Sequence, residues 1–124
     1  MILVVEDNED RLNWFRATLG KDEMMSTRYV SGAIAILNSI YKIDRLFLDR
    51  DLGQAVNGAD MTVEPFIDYI VQYRPAFKGG VVVHSTNFPA ASGIVRVLRS
   101  NGYTVHYVPF TKLRTMDIEQ INSL

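Results

Sequence analysis

The chain has 124 residues, 48% of them hydrophobic and 22% charged, with a formal net charge of −1 and no cysteine. That length suits one domain with one core. The balance excludes a disordered chain, a disulfide scaffold, thiol chemistry and the broad basic footprint of a nucleic-acid binder.

In chain order, short runs rich in branched and aromatic residues alternate with longer stretches of helical period. Residues 2–5 read as a first strand, cut off at once by Glu6 and Asp7. This apolar run is too short for a signal peptide or a membrane span, so a cytoplasmic protein with no membrane attachment is expected. A helix follows, with Leu12, Phe15 and Leu19 as a thin apolar stripe and Gly20 as its C-cap. Trp14 falls off that stripe and suits either an exposed protein contact or a partly buried filler. Residues 27–30 read as the second strand. Ser31 then caps a helix whose Ala33, Ile36, Leu37 and Ile40 fall on one face.

Residues 45–48 form the third strand, and 54–61, carrying Asn57-Gly58, read as a turn-rich surface loop that could act as a lid. Thr62 caps the next helix, with Pro65 in its first turn and Phe66, Ile67, Ile70 and Val71 facing inward. Residues 81–84 supply the fourth strand. Ala91, Ile94, Val95 and Leu98 mark the following helix, Gly102 its C-cap, and Arg96 and Arg99 a solvated face. Residues 104–108 alternate more, as an edge strand does, and His106 there reads as structural. A last helix is expected over 114–121. The aromatic set of Trp14, Phe15, Tyr69, Tyr73 and Phe77 reads as core and helix-face residues, not as a base-stacking platform.

Five strand–helix units predict one doubly wound α/β domain over residues 1–124, its parallel sheet covered on both faces. In such a sheet ligands bind outside the carboxyl ends of the strands, at the topological switch point. The first strand ends in Glu6-Asp7, the third in Asp49-Arg50-Asp51, the fourth in His84-Ser85-Thr86-Asn87 and the fifth in Val108-Pro109-Phe110-Thr111-Lys112. Converging carboxylates repel one another unless protons or a cation neutralise them. An oxygen-only set of Glu6, Asp7, Asp49 and Asp51 favours Mg²⁺ or Mn²⁺. Glu6 and Asp7 equally suit helix capping, Asp51 equally suits a turn, and Asn87 is also a good helix-entry residue. His84 can trade protons near neutral pH or can be a satisfied strand-end histidine. Arg50 could clamp a phosphate or sit on the surface.

The run Ile2-Leu3-Val4-Val5-Glu6-Asp7-Asn8, followed by Asp44-Arg45-Leu46-Phe47-Leu48-Asp49, resembles the receiver domain of two-component signalling along nearly the whole chain. The resemblance implies a flavodoxin-like sheet of strand order 2-1-3-4-5. It also implies a Mg²⁺ pocket at Glu6, Asp7 and Asp49, with Asp49 in the phospho-acceptor position. Ser85 or Thr86 supplies the hydroxyl that receivers carry after strand four. The lysine that receivers carry before the strand-five proline is missing: Val108 stands there, and Lys112 lies three residues beyond the proline.

Asp49-Arg50-Asp51-Leu52-Gly53 and Val83-His84-Ser85-Thr86-Asn87 look more narrowly like the cyclic-phosphate-processing receiver group. Arg50 departs from the histidine frequent at the middle of that group's first motif. This kinship implies catalytic roles for Asp49, His84 and Asn87 and phosphate contacts from Arg50, Ser85 and Thr86. The ligand implied is a phosphate-containing small molecule such as a cyclic nucleotide, or an RNA 2′,3′-cyclic phosphate end, turned over by a metal-dependent cyclic phosphodiesterase. Two alternatives stay open: a stand-alone receiver phosphorylated on Asp49, and an inactive pseudo-receiver that works through a protein partner.

Overall fold

The computed structural model describes all 124 residues. Five strands build the main sheet: β1 (Ile2–Val5), β2 (Met24–Thr27), β3 (Arg45–Leu48), β6 (Gly80–Val83) and β7 (Val105–Tyr107). They pair in parallel in the order β2-β1-β3-β6-β7. Once the separate hairpin of β4 (Asp51–Gln54) and β5 (Asp60–Thr62) is set aside, this is the expected order 2-1-3-4-5.

Alternation along the strands sorts the core into two layers. Leu3, Val5, Leu46, Leu48, Val81 and Val83 point to one face. There they meet α2 (Val30–Leu37), α3 (Glu64–Tyr73) and α4 (Phe88–Ser100). Val4, Phe47 and Val82 point to the other face, against α1 (Glu9–Leu19), α5 (Phe110–Leu113) and α6 (Ile118–Asn122). Each fully buried Leu, Val or Phe contributes roughly 1.5–3 kcal/mol relative to exposure. The layers therefore hold the strand ends in a fixed frame.

Several local expectations are corrected. The second strand is Met24–Thr27, not 27–30, because Thr27 Oγ1 accepts the Tyr29 N–H and turns the chain into α2. Tyr29, not Ser31, is the N-cap of α2, and Val63, not Thr62, is that of α3. Ile40 lies beyond the end of α2 and is exposed. Asn101 rather than Gly102 is the C-cap of α4. Residues 54–61 lie largely within the β4–β5 hairpin, with Asn57 and Gly58 in its turn. The helix expected over 114–121 starts only at Ile118, where Asp117 and Gln120 form a capping box, and a separate short helix, α5, precedes that range. Arg99 is not merely solvated: it donates twice to the Val105 carbonyl, at 3.1 and 2.7 Å, tying α4 to the edge strand β7.

Candidate functional site

Strand register builds the floor of the site. Val5 pairs with Leu48 and Leu48 with Val83, so the next residue on each strand, Glu6, Asp49 and His84, falls in one row. The ladder carries on through that row: the Asp49 N–H donates to the Val5 carbonyl and the His84 N–H to the Leu48 carbonyl, both at 3.0 Å. Ligand atoms of Glu6, Asp49 and His84 lie within 4.8 Å of one another. By alternation these three side chains lean to the same face as Val4, Phe47 and Val82.

That lean decides the place of His84. Its ring is fully buried, 5.1 Å from the Phe15 ring and 6.3 Å from that of Phe110. Nε2 lies 2.6 Å from Glu6 Oε2, and Nδ1 has no partner. His84 does not line the cleft; it sits behind Glu6. Burial holds the imidazole down to about 4, against the pull of the Asp49 charge, so the ring is neutral at physiological pH.

The cleft itself measures about 330 Å³ and is lined by polar side chains and one glycine. Glu6, Asp7, Asp49, Asp51, Ser85 and Thr86 all reach it. Burial, with the neighbouring Asp7 charge adding to it, pushes Glu6 up to about 7. Burial and the Glu6 charge push Asp49 up to about 6. Both carboxyls therefore hold protons far above the usual carboxylate range. The N-cap of α1 is Asn8, whose Oδ1 accepts the Arg11 N–H at 3.0 Å, while Glu6 Oε1 accepts the Asn8 N–H at 3.2 Å at the helix entry. Asp7 Oδ2 lies 2.9 Å from the point where a Cβ would stand on Gly53, whose φ of +81° also favours glycine. Glu6, Asp7 and Asp49 are the oxygen donors that could hold a divalent cation.

Arg50 and Asn87 stand outside the cleft wall. Arg50 donates to Asp51 Oδ1 at 2.8 Å and to Glu64 Oε1 at 2.9 Å. Asn87 caps α4 and lies 3.5 Å from Asp51 Oδ2 through Nδ2. Ser85 Oγ accepts the Asn87 N–H at 3.2 Å, and the Tyr107 hydroxyl donates to the Ser85 carbonyl at 2.8 Å, so this turn is braced from two sides. Val108 is buried where receivers carry lysine, and Lys112 is exposed on α5 away from the cleft wall.

The cation in the cleft comes from elsewhere. Arg11 Nη1 lies 3.5 Å from Asp49 Oδ2 and 3.8 Å from Glu6 Oε1, and its guanidinium carbon is 5.0 Å from the Phe110 ring centroid. Sequence reasoning missed Arg11. The available signal was its spacing: four residues after Asp7, one helical turn on from the acidic turn.

Residues 1–100 match the family described as the cyclic-phosphate processing receiver domain. Among solved structures, the chain resembles the signal receiver domain of a protein described as a LuxO repressor from Vibrio parahaemolyticus. That match has a TM-score of 0.65 and 14% identity, and covers 98% of this chain and 83% of the other. It also resembles the BeF3-activated receiver domain of nitrogen regulatory protein C (NtrC), with a TM-score of 0.60 and 19% identity, covering 99% and 88%. At these identities the likeness speaks for the fold. No curated protein sequence matches at a significant level. No helix is long and apolar enough to cross a membrane.

Proposed function

This chain belongs to the cyclic-phosphate processing receiver domain family, and on that basis we propose that its acidic cleft binds a cyclic phosphate together with a divalent cation and opens the ring by hydrolysis. The observation that carries the reading is the row of Glu6 and Asp49 at adjacent strand ends, two buried carboxyls raised to about 7 and about 6 with Arg11 as the one guanidinium on the cleft wall. Such a cluster is short of positive charge.

The donor set fits Mg²⁺ or Mn²⁺. Glu6, Asp7 and Asp49 offer hard oxygens, and Gly53 leaves room for the Asp7 carboxylate where a side chain would fill the space. When bound, the cation would polarise the phosphate oxygens and lower the pKa of a bound water. The remaining work falls to the chain. Arg11 presents a charged fork to non-bridging oxygens. Thr86 and Ser85 border the same space, and Asn87 orients the turn that carries them. His84 fixes the position of Glu6 from behind. Ring opening adds water across one P–O ester bond: the water oxygen joins phosphorus, and the released alkoxide takes the proton.

The test is phosphorus NMR of the purified protein with Mg²⁺ or Mn²⁺ and a panel of 2′,3′-cyclic and 3′,5′-cyclic phosphates. Growth of a phosphomonoester resonance from one class, lost in Asp49→Asn and Glu6→Gln, is expected. Neither turnover nor line broadening across the panel, with a folded protein, overturns the reading. One added phosphoryl group on Asp49 after treatment with a small phosphodonor would favour a phospho-acceptor role instead.

A further inference from the structure

The acidic cleft does not end at Gly53. Asp51 and Gly53 also border a second cleft, which shares Asp60 and Met61 with a third of about 390 Å³ on the other side of the β4–β5 hairpin. The third cleft has a different chemistry. Val30, Leu52, Met61 and Pro65 give it an apolar lining, and Tyr29 stands at its edge, 51% exposed. The Arg28 guanidinium carbon lies 5.3 Å from the Tyr29 ring centroid. An aromatic ring with a guanidinium beside it, in an apolar recess with the polar Asp60 and Ser31 at hand, is the kind of surface on which a nucleobase stacks.

Arg28 also joins the two ends. Its Nη2 lies 3.2 Å from the Cβ position of Gly53, and Asp7 Oδ2 lies 2.9 Å from the same point. One cation therefore borders the aromatic recess and stands beside a carboxylate of the acidic cleft. The bare backbone of Gly53 lies between them. A ligand with its phosphate on the acidic side and a flat ring on the Tyr29 side would meet the Asp7 and Arg28 side chains where they flank Gly53.

We infer that the Tyr29–Arg28 recess is the base subsite of a nucleotide whose cyclic phosphate occupies the acidic cleft. The inference rests on the reading given under the proposed function and narrows it: the substrate is a cyclic nucleotide or a nucleoside-terminated RNA end, not a cyclic phosphate of a base-free polyol. Tyr29 supplies stacking area on its free face, Arg28 contacts the sugar–phosphate link, and Asp60 accepts from an exocyclic amino group.

Calorimetric titration in Mg²⁺ with two probes tests it: adenosine 2′,3′-cyclic phosphate and the base-free methyl riboside 2,3-cyclic phosphate. The wild-type protein should prefer the base-bearing probe by roughly tenfold or more, as stacking on one aromatic predicts. Tyr29→Ala should bring the two affinities together, whereas Tyr29→Phe should keep the preference. Tyr29 is largely exposed, and circular dichroism confirms that each variant folds. Equal affinity of both probes for the wild type, or a preference that survives Tyr29→Ala, overturns the base subsite and leaves the acidic cleft as a phosphate site. Binding of neither probe removes the phosphate reading, and the subsite falls with it.

Discussion

His84 Nε2 and Glu6 Oε2 lie 2.6 Å apart with both side chains fully sealed from solvent. Register and alternation produce the pair: the two residues follow β6 and β1 by one position each, and both point toward α1 and α5. A histidine in this place stands behind Glu6 and does not line the cleft. It fixes the orientation of the Glu6 carboxyl.

Replacing His84 should therefore behave as the loss of a positioning residue. His84→Ala leaves a buried carboxyl without its partner and a cavity between Phe15 and Phe110, at an expected stability cost of about 2–4 kcal/mol. Turnover should fall by roughly 10- to 100-fold, the usual effect of an outer-shell change. His84→Gln, which can still donate to Glu6, should recover most of both losses. Urea melts and kcat for the two variants check this. Complete loss of turnover in a fully folded His84→Gln protein would mean that the imidazole itself handles the proton.

The buried carboxyls impose a pH dependence on the metal-free protein. Glu6 is raised to about 7 and Asp49 to about 6, so their stabilising contribution is fully present below the ordinary carboxylate range and is lost as pH rises through 6 and 7. His84, held at about 4, acts oppositely: its contribution is present above 6.5 and lost as pH falls through 4. Two carboxyls outweigh one imidazole, and above pH 6.5 the imidazole adds no slope. The urea midpoint in a chelator should therefore fall between about pH 5 and 7.5 and level off above. Asp49→Asn should reduce that slope and stabilise the protein at pH 8 by on the order of 2 kcal/mol. A midpoint that holds or rises over this window contradicts the buried-acid picture.

A cation that relieves the same repulsion should act most strongly where the carboxyls are ionised. Mg²⁺ or Mn²⁺ should raise the melting temperature by several degrees at pH 8, since a ligand at 100 times its dissociation constant adds about 2.7 kcal/mol to the native state. At pH 5 protons compete for Glu6 and Asp49 and the shift should shrink. Asp49→Asn should abolish it at both pH values. A shift of equal size in wild type and Asp49→Asn would assign the effect to another surface.

The sheet was legible because β1 and β6 are continuous apolar runs and the helices carry three- and four-residue spacings, both direct consequences of burial. The acidic row was legible for a related reason: a strand end in a parallel sheet delivers its next residue to a known edge. Depth was not. Nothing local in Val83-His84-Ser85 distinguishes a side chain turned into the cleft from one turned under α1, because that depends on the register of β6 against β3 and on Phe15 filling the space. The hairpin was missed because Asp51-Leu52-Gly53, which lies within β4, and Asn57-Gly58 read as turn chemistry, while β4 and β5 are only four and three residues long. Arg50 was weighed as a phosphate clamp, but Glu64, fourteen residues on, holds its guanidinium beside Asp51.

Arg11 makes the most discriminating variant, because its two roles predict opposite signs. Its guanidinium lies 3.5 Å from Asp49 and 3.8 Å from Glu6, so it repels a metal cation while it attracts a phosphate. In a receiver-like fold with Val108 in the lysine position, it is the cation nearest the strand-three aspartate. Arg11→Ala should therefore bind Mn²⁺ alone more tightly than wild type and bind the cyclic phosphate more weakly, by roughly tenfold or more for loss of a charge-assisted contact. Arg11→Lys should fall between for the phosphate, since an ammonium keeps the charge and loses the fork. Titrations of Mn²⁺ and of the phosphate ligand, run separately on each variant, read the two signs. Weakening of both together would mean that Arg11 shapes the cleft and makes no direct contact with the ligand.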